Sequence, residues 1–166
     1  MTEQQIQAIV SEVIARVNLG SDTASMHGVF NDMNEAIEAA KAAQKVVARM
    51  SMDQREKIIS CLRQKIKDNA KTLAAMGVEE TGMGNVGDKI LKHKLTADKT
   101  PGTEDITPTV KTGDDGLTLI EQAPFGVVGS ITPSTNPSET VICNSMGMIA
   151  AGNGVVFNPH PNAVCT

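Results

Sequence analysis

The chain has 166 residues, 40% of them apolar and 20% charged, with a formal net charge of -4. That balance fits one soluble globular domain, or one domain with an appendage, and it excludes the clustered Lys and Arg of a nucleic-acid surface. Aromatic residues make up only 2%, with neither Trp nor Tyr, so the core must rest on Ile, Val, Leu, Met and Ala.

The first segment, MTEQQIQAIVSEVIARV, places Ile6, Ile9, Val10, Val13, Ile14 and Val17 at three- and four-residue steps. This is the stripe of an amphipathic helix over residues 1–18. It lacks a basic start and a continuous apolar run, so it reads as neither a signal peptide nor a membrane span. A reducing cytoplasmic setting is therefore expected, with no membrane partner. Residues 19–28 are polar and Gly-containing, the composition of a linker. A helix tethered in this way either folds back on its own domain or docks into a groove on a partner, and the polar linker favours docking.

Two Ala- and Lys-rich helices are predicted next, near 32–49 and 52–76. In the second, Ile58, Ile59, Leu62, Ile66, Leu73 and Met76 keep helical spacing, and Ser51 and Asp53 stand where a side-chain oxygen can cap its start. Cys61 falls inside this helix and is expected to be buried or half-buried. The scattered methionines, among them Met26, Met33, Met50, Met52 and Met76, read as core filling. A further helix is predicted from Asn85 to Lys99, stopped by Thr100-Pro101-Gly102. His27 and His93 have no clustered ligands beside them in sequence and read as solvated, and no metal site is expected. Cys61, Cys143 and Cys165 are an odd number without paired spacing, which argues against a disulfide framework or a zinc site.

Between those two helices, TGMGNVGD matches G-x-G-x-x-G at Gly82, Gly84 and Gly87. A dinucleotide loop of that pattern needs a buried strand before it and a helix after it. What precedes Gly82 is LAAMGVEET, the end of a helix. The glycines therefore read as a helix-to-helix turn that needs positive φ.

From Asp105 the texture changes. β-branched residues flank Gly113-Asp114-Asp115-Gly116, predicting a hairpin over 106–123. Gly126 to Thr132 is an apolar run, as for a strand covered on both faces. A polar loop, Thr132-Pro133-Ser134-Thr135-Asn136-Pro137, leads into a helix over Ser138–Ala151. Gly152-Asn153-Gly154 stops that helix, and Val155-Val156-Phe157 begins a second buried strand. This is a βαβ unit, and in open α/β sheets ligands bind at the carboxyl ends of the strands. The polar loop is thus where a site belongs. Asn136 there either aims its NH2 at a developing oxyanion or caps the helix that follows. A nucleotide-binding half needs more than two parallel strands, so the Rossmann-type unit is expected to be incomplete over residues 29–166, either because the chain is a fragment or because the remainder is supplied by something else.

EQAPFGVVGSITPSTNPSET and AAGNGVVFNPHPNA, with ETGMG at 80–84, DK at 88–89, TPG at 100–102 and TGDDGLTLIE at 112–121, resemble the CoA-acylating aldehyde dehydrogenases of bacterial microcompartments. The resemblance runs from Val29 onward. It implies an α/β, aldehyde-dehydrogenase-like Rossmann domain preceded by helices and a β-hairpin. It also implies oxidation of a short aldehyde, acetaldehyde or propionaldehyde, with NAD and coenzyme A to acyl-CoA through a cysteine thioester. Asn136 matches the family's oxyanion asparagine. Thr132, Pro133 and Ser134 match the nicotinamide side of the cofactor site, with Thr135 also among the expected cofactor-binding residues. Phe157, Asn158, Pro159 and His160 end the second strand on its ribose side, with His160 where other superfamily members carry Lys. The hairpin matches strands used in homo-oligomerisation. Residues 1–18 resemble an encapsulation peptide that binds a shell protein inside a cytoplasmic microcompartment. The nucleophilic cysteine lies downstream of this segment in the family. None of the three cysteines here has a recognisable His or Lys partner in sequence, and Cys143 is the one nearest the site loop. The alternative expectation is a non-catalytic fragment that keeps a docking helix and an assembly surface.

Overall fold

The computed structural model describes residues 28–166, so the docking helix expected over 1–18 and most of the expected linker lie outside the described residues, as do Met26 and His27. The described residues divide into two units, one ending at Ala39 and the other Ala40–Thr166. In the first, Asp32 Oδ1 accepts from the backbone N–H groups of Asn34 and Glu35 at 2.8 and 3.1 Å. This cap starts α1, Met33–Val47.

The second unit holds the remaining elements. The long helix α2, Met52–Thr81, opens with a reciprocal cap: Gln54 N–H donates to Ser51 Oγ at 3.2 Å, and Ser51 N–H to Gln54 Oε1 at 3.0 Å. It runs five residues beyond its expected end because Gly77 and Val78 continue the helix up to the Gly82 cap. There the three sequence-matched glycines separate into different roles. Gly82 and Gly84 take φ of +66° and +77°, and Gly87 lies in the first turn of α3, Val86–Lys99. Asn85 caps α3 by accepting from Asp88 N–H at 2.9 Å. The segment is a helix-to-helix turn, as its context predicts.

A short 3-10 turn, Thr103–Asp105, leads to β1, Thr109–Gly113, and β2, Gly116–Ile120. These pair antiparallel around Asp114-Asp115, with Thr109 opposite Ile120. All ten strand positions are exposed, including Val110, Leu117, Leu119 and Ile120. Strand β3, Val127–Ile131, then crosses through helix α4, Pro137–Ala150, to the parallel strand β4, Gly154–Asn158. Val127 pairs with Gly154 and Ile131 with Asn158. The α/β architecture with a βαβ unit is the one expected.

Helices α2, α3 and α4 share the apolar core. Ile59, Ile66, Ala97, Met146 and Ala150 are buried together, with Leu62, Ile106, Ile142 and Ile149 packed around them. The small residues Ala70, Ala74 and Ala97 let the helices approach closely. Two expectations fail here. Cys61 is exposed, because the buried stripe of α2 runs through Ile59, Ile66 and Ala70 and leaves position 61 on the outer face. Of the methionines expected to fill the core, Met33, Met52 and Met76 are exposed and Met50 is half-buried. Met146 carries that role instead.

Met146 is 0% exposed at the centre of this cluster. Met146→Ala is expected to cost about 2–5 kcal/mol in urea denaturation. Met76→Ala, at an exposed position, should stay within about 0.5 kcal/mol. Equal losses would contradict the assignment of the core.

Candidate functional site

The βαβ unit brings the predicted residues to one edge. Thr132 N–H donates to Asn158 O at 3.1 Å, which extends the β3–β4 pairing by one step beyond the strands. The two loops therefore leave the carboxyl ends of the strands side by side. Thr132 itself is buried, while Pro133 and Thr135 are exposed and Ser134 and Asn136 are half-buried. Across from them, Asn158, Pro159 and His160 are all exposed. His160 Nδ1 accepts from Asn162 N–H at 3.1 Å, so that nitrogen carries no proton and the ring presents Nε2–H as a donor. The crossover is anchored elsewhere by Asn144 Nδ2, which donates to Ser130 Oγ at 2.9 Å, and by Gly126 N–H, which donates to Asn153 Oδ1 at 3.0 Å.

Asn136 occupies the N-cap position of α4, yet its side chain makes no capping hydrogen bond. Its backbone carbonyl serves the helix, accepting from Thr140 N–H at 3.0 Å and from Thr140 Oγ1 at 2.7 Å. The amide group turns away: Oδ1 accepts from Lys92 Nζ, and Nδ2 faces Thr135 Oγ1 at 3.5 Å. Of the two roles the sequence allows for this side chain, the cap is the one the geometry removes.

The first turn of α4 is held by α3 through charged groups that sequence reading missed. Lys89 and Glu139 are only 6% and 4% exposed. Lys89 Nζ donates to Thr135 O at 3.2 Å and lies 3.8 Å from Glu139 Oε1. That separation is an ion pair without a hydrogen bond, and Glu139 Oε1 has no hydrogen-bond partner. One turn along, His93 is 0% exposed, which corrects its reading as solvated. Its Nδ1 lies 2.7 Å from Lys89 O, a group that only accepts, so Nδ1 carries the proton. Its Nε2 lies 2.9 Å from Ser138 Oγ, and the single hydroxyl proton of Ser138 faces both Nε2 and Glu139 Oε2, the latter at 3.3 Å.

Lys89, Lys92 and His93 share one face of α3 at helical spacing. That spacing was the available signal, but their partners lie over 40 residues away in the chain.

Cys143, half-buried in α4, has its Sγ 3.2 Å from Thr100 Oγ1. A hydroxyl neither abstracts a thiol proton at neutral pH nor offers a positive charge, so nothing in this contact activates the sulfur. Among the described residues no group of three or more His, Cys, Asp or Glu is placed to hold a metal ion, and no helix is long and apolar enough to cross a membrane.

The aldehyde dehydrogenase family model matches residues 9–166. An acetylating acetaldehyde dehydrogenase of Escherichia coli is 47% identical over 167 residues, covering 98% of this chain and 35% of that protein. The solved propionaldehyde dehydrogenase from the fucose utilisation microcompartment of Clostridium phytofermentans is 72% identical. It has a TM-score of 0.80 and covers 82% of this chain and 31% of that one. Rhodopseudomonas palustris propionaldehyde dehydrogenase, solved with propionyl-CoA bound, is 51% identical with a TM-score of 0.78, over 81% of this chain and 31% of that one. The chain belongs to the aldehyde dehydrogenase family, and it spans about a third of the length of the relatives it matches.

The buried Lys89–Glu139 pair yields a stability prediction. Lys89→Met strands a buried carboxylate and should cost about 3–5 kcal/mol in urea denaturation. Adding Glu139→Gln removes the stranded charge and should recover part of that loss. If the double variant loses as much as the two single variants summed, the pair is not coupled.

Proposed function

We propose that this aldehyde dehydrogenase family member is part of a CoA-acylating enzyme that oxidises a short aldehyde, acetaldehyde or propionaldehyde, to its acyl-CoA. The nucleophilic cysteine is assigned to sequence beyond residue 166, since among the described residues neither Cys61, Cys143 nor Cys165 has an activating partner. The observation that carries the reading is Asn136: it stands at the carboxyl end of β3 with its amide released from capping duty. In this reading its Nδ2 donates to the aldehyde oxygen as negative charge develops there. The half-buried loop supports that role, because a fixed donor partly shielded from water stabilises charge more than a solvated one does.

Residues of both strand ends fit a nicotinamide cofactor. They form a largely polar rim, partly buried on the Thr132–Asn136 side and exposed at Asn158, Pro159 and His160, without a glycine-rich phosphate cradle, which suits the nicotinamide and ribose half of NAD. Bound there, NAD would supply the hydride acceptor. Thr132, Pro133, Ser134 and Thr135 would line the nicotinamide side. Asn158, Pro159 and His160 would face the ribose, where Nε2–H of His160 is free to donate to a hydroxyl. Coenzyme A would enter as co-substrate.

The same reading assigns residues 1–18 to a shell protein of a microcompartment in the cytoplasm, with residues 19–28 as the linker and residues 29–166 as the start of the NAD-binding domain. It assigns the exposed apolar hairpin at 106–123 to homo-oligomer contacts. Val110, Leu117 and Leu119 on one face and Ile120 on the other, at 45–68% exposure, support that assignment, since exposed apolar side chains gain by being covered.

The intact protein should have a mass well above the 17.5 kDa of these 166 residues. It should form NADH from aldehyde and NAD with acyl-CoA as the product. Asn136→Ala should lower kcat by about a hundredfold or more, with the mutant still folded by circular dichroism. Deleting residues 1–18 should leave turnover unchanged and abolish co-purification with shell. A mass of 17.5 kDa with no NADH formation would instead support the non-catalytic alternative.

A further inference from the structure

We propose that Lys92 is a positioning residue for Asn136, fixing which way its amide points and strengthening its free N–H as a donor. The inference rests on the proposed role of Asn136 as the oxyanion donor. An asparagine amide has an acceptor end and a donor end of nearly the same shape, and only its partners decide which faces the ligand. Lys92 Nζ is a donor with no acceptor capacity, so the end it contacts must be Oδ1. Nδ2 is thereby turned to the opposite side. There, among the described residues, its hydrogen bond is to Thr135 Oγ1 at 3.5 Å, the outer limit of such a bond, which leaves its donor capacity for a ligand oxygen.

The choice is not forced by local structure. An asparagine at an N-cap ordinarily turns Oδ1 back onto its own helix, and α4 lacks that bond. Lys92 draws the oxygen outward to another helix instead. Its reach is set by its neighbours on the same face of α3. Lys89 binds Thr135 O at 3.2 Å, and His93 meets Ser138 Oγ at 2.9 Å. These contacts flank Asn136 on both sides in sequence, so α3 and the site loop cannot slide past one another without breaking buried contacts. A cation on Oδ1 also draws electron density from the amide, and linked hydrogen bonds polarise one another in the same sense.

The test uses the intact protein with Lys92→Met, Lys92→Arg and Lys92→Glu, each also in an Asn136→Ala background. Lys92 is exposed, so these variants are expected to fold. Lys92→Met should lower kcat about tenfold while KM for the aldehyde stays within about twofold, the pattern of a contact made in the transition state. Lys92→Arg should restore most of the rate. Lys92→Glu offers an acceptor in place of a donor, should reverse the amide, and should approach the loss of Asn136→Ala. In the Asn136→Ala background none of the three should matter further.

A second readout does not depend on turnover: the side-chain NH2 signals of Asn136 in nitrogen-15 correlation spectra. They should move in Lys92→Met and Lys92→Glu and stay near their original position in Lys92→Arg. Full kcat in Lys92→Met, an undiminished loss in the Asn136→Ala background, or unmoved NH2 signals would each overturn the proposal. A wild-type protein that forms no acyl-CoA would overturn the functional reading alone, and the NH2 signals would still decide the orientation.

Discussion

The site depends on how α3 is fastened to the first turn of α4. Apolar packing brings the helices together through Ala97, Met146 and Ala150, but such packing is tolerant of small slips along the helix axis. Charged groups taken out of water are not. Lys89 and Glu139 each lose hydration on burial, a cost that attraction offsets only if they stay within reach of one another and of Thr135 O. His93 adds directional bonds at both ring nitrogens. The result is a register between the two helices set by hydrogen-bond geometry. The loop carrying Thr132 to Asn136 inherits that register because it runs directly into α4.

Arginine performs the matching task at the other helix ends. The last carbonyls of a helix have no partners within it. Arg55 donates to Ala150 O at 3.0 Å and to Ala48 O at 3.3 Å, so one guanidinium serves the ends of two helices. Arg63 donates to Ala97 O at 2.6 Å and Thr100 O at 2.8 Å, closing α3. The planar fork of arginine meets two carbonyls at once, which the single ammonium of lysine does less well. The division of labour is physical: arginines close helix ends near the core, while lysines reach across to the loop that carries the site. Glu56 joins the same frame. The hydroxyl of Thr103 holds its carboxyl below the usual range, with Ser60 adding to the effect. That contribution to stability is present above the ordinary carboxylate value of 4.5 and fades as pH falls through the lowered one.

Much of the framework is written locally in the sequence. Ser51 and Gln54, Asn85 and Asp88, and Gly82 each mark a helix end through bonds reaching no more than four residues. The βαβ unit is legible because an apolar run, a polar loop and a Gly-terminated helix follow one another. The glycines at 82–87 read as a turn on the same kind of context, and the structure forms one there. The failures share a different cause. His93 looks like a solvated residue on a Lys-rich helix, since Ser138, which meets its ring, lies in another element, as do Glu139 and Thr135, the partners of the neighbouring Lys89. Cys61 and the methionines fail for a related reason: helical spacing gives a stripe, but which residues at its margins are covered depends on the width of the neighbouring helix.

Asn136 shows why the site itself was only half legible. Spacing placed it at the mouth of the strand and at the start of a helix, and both locations favour asparagine for unrelated reasons. A capping asparagine and a ligand-binding asparagine are the same letter at the same position. What separates them is the direction of one amide, and that direction is set by a lysine 44 residues earlier in the chain. Oδ1 is tied to the scaffold and Nδ2 is turned from it, so in the proposed reading a single side chain would join the helix pair to a ligand at the strand ends. A stronger cap would have stabilised α4 and turned that donor end elsewhere. The missing capping bond is therefore the local observation that supports the role proposed for this position.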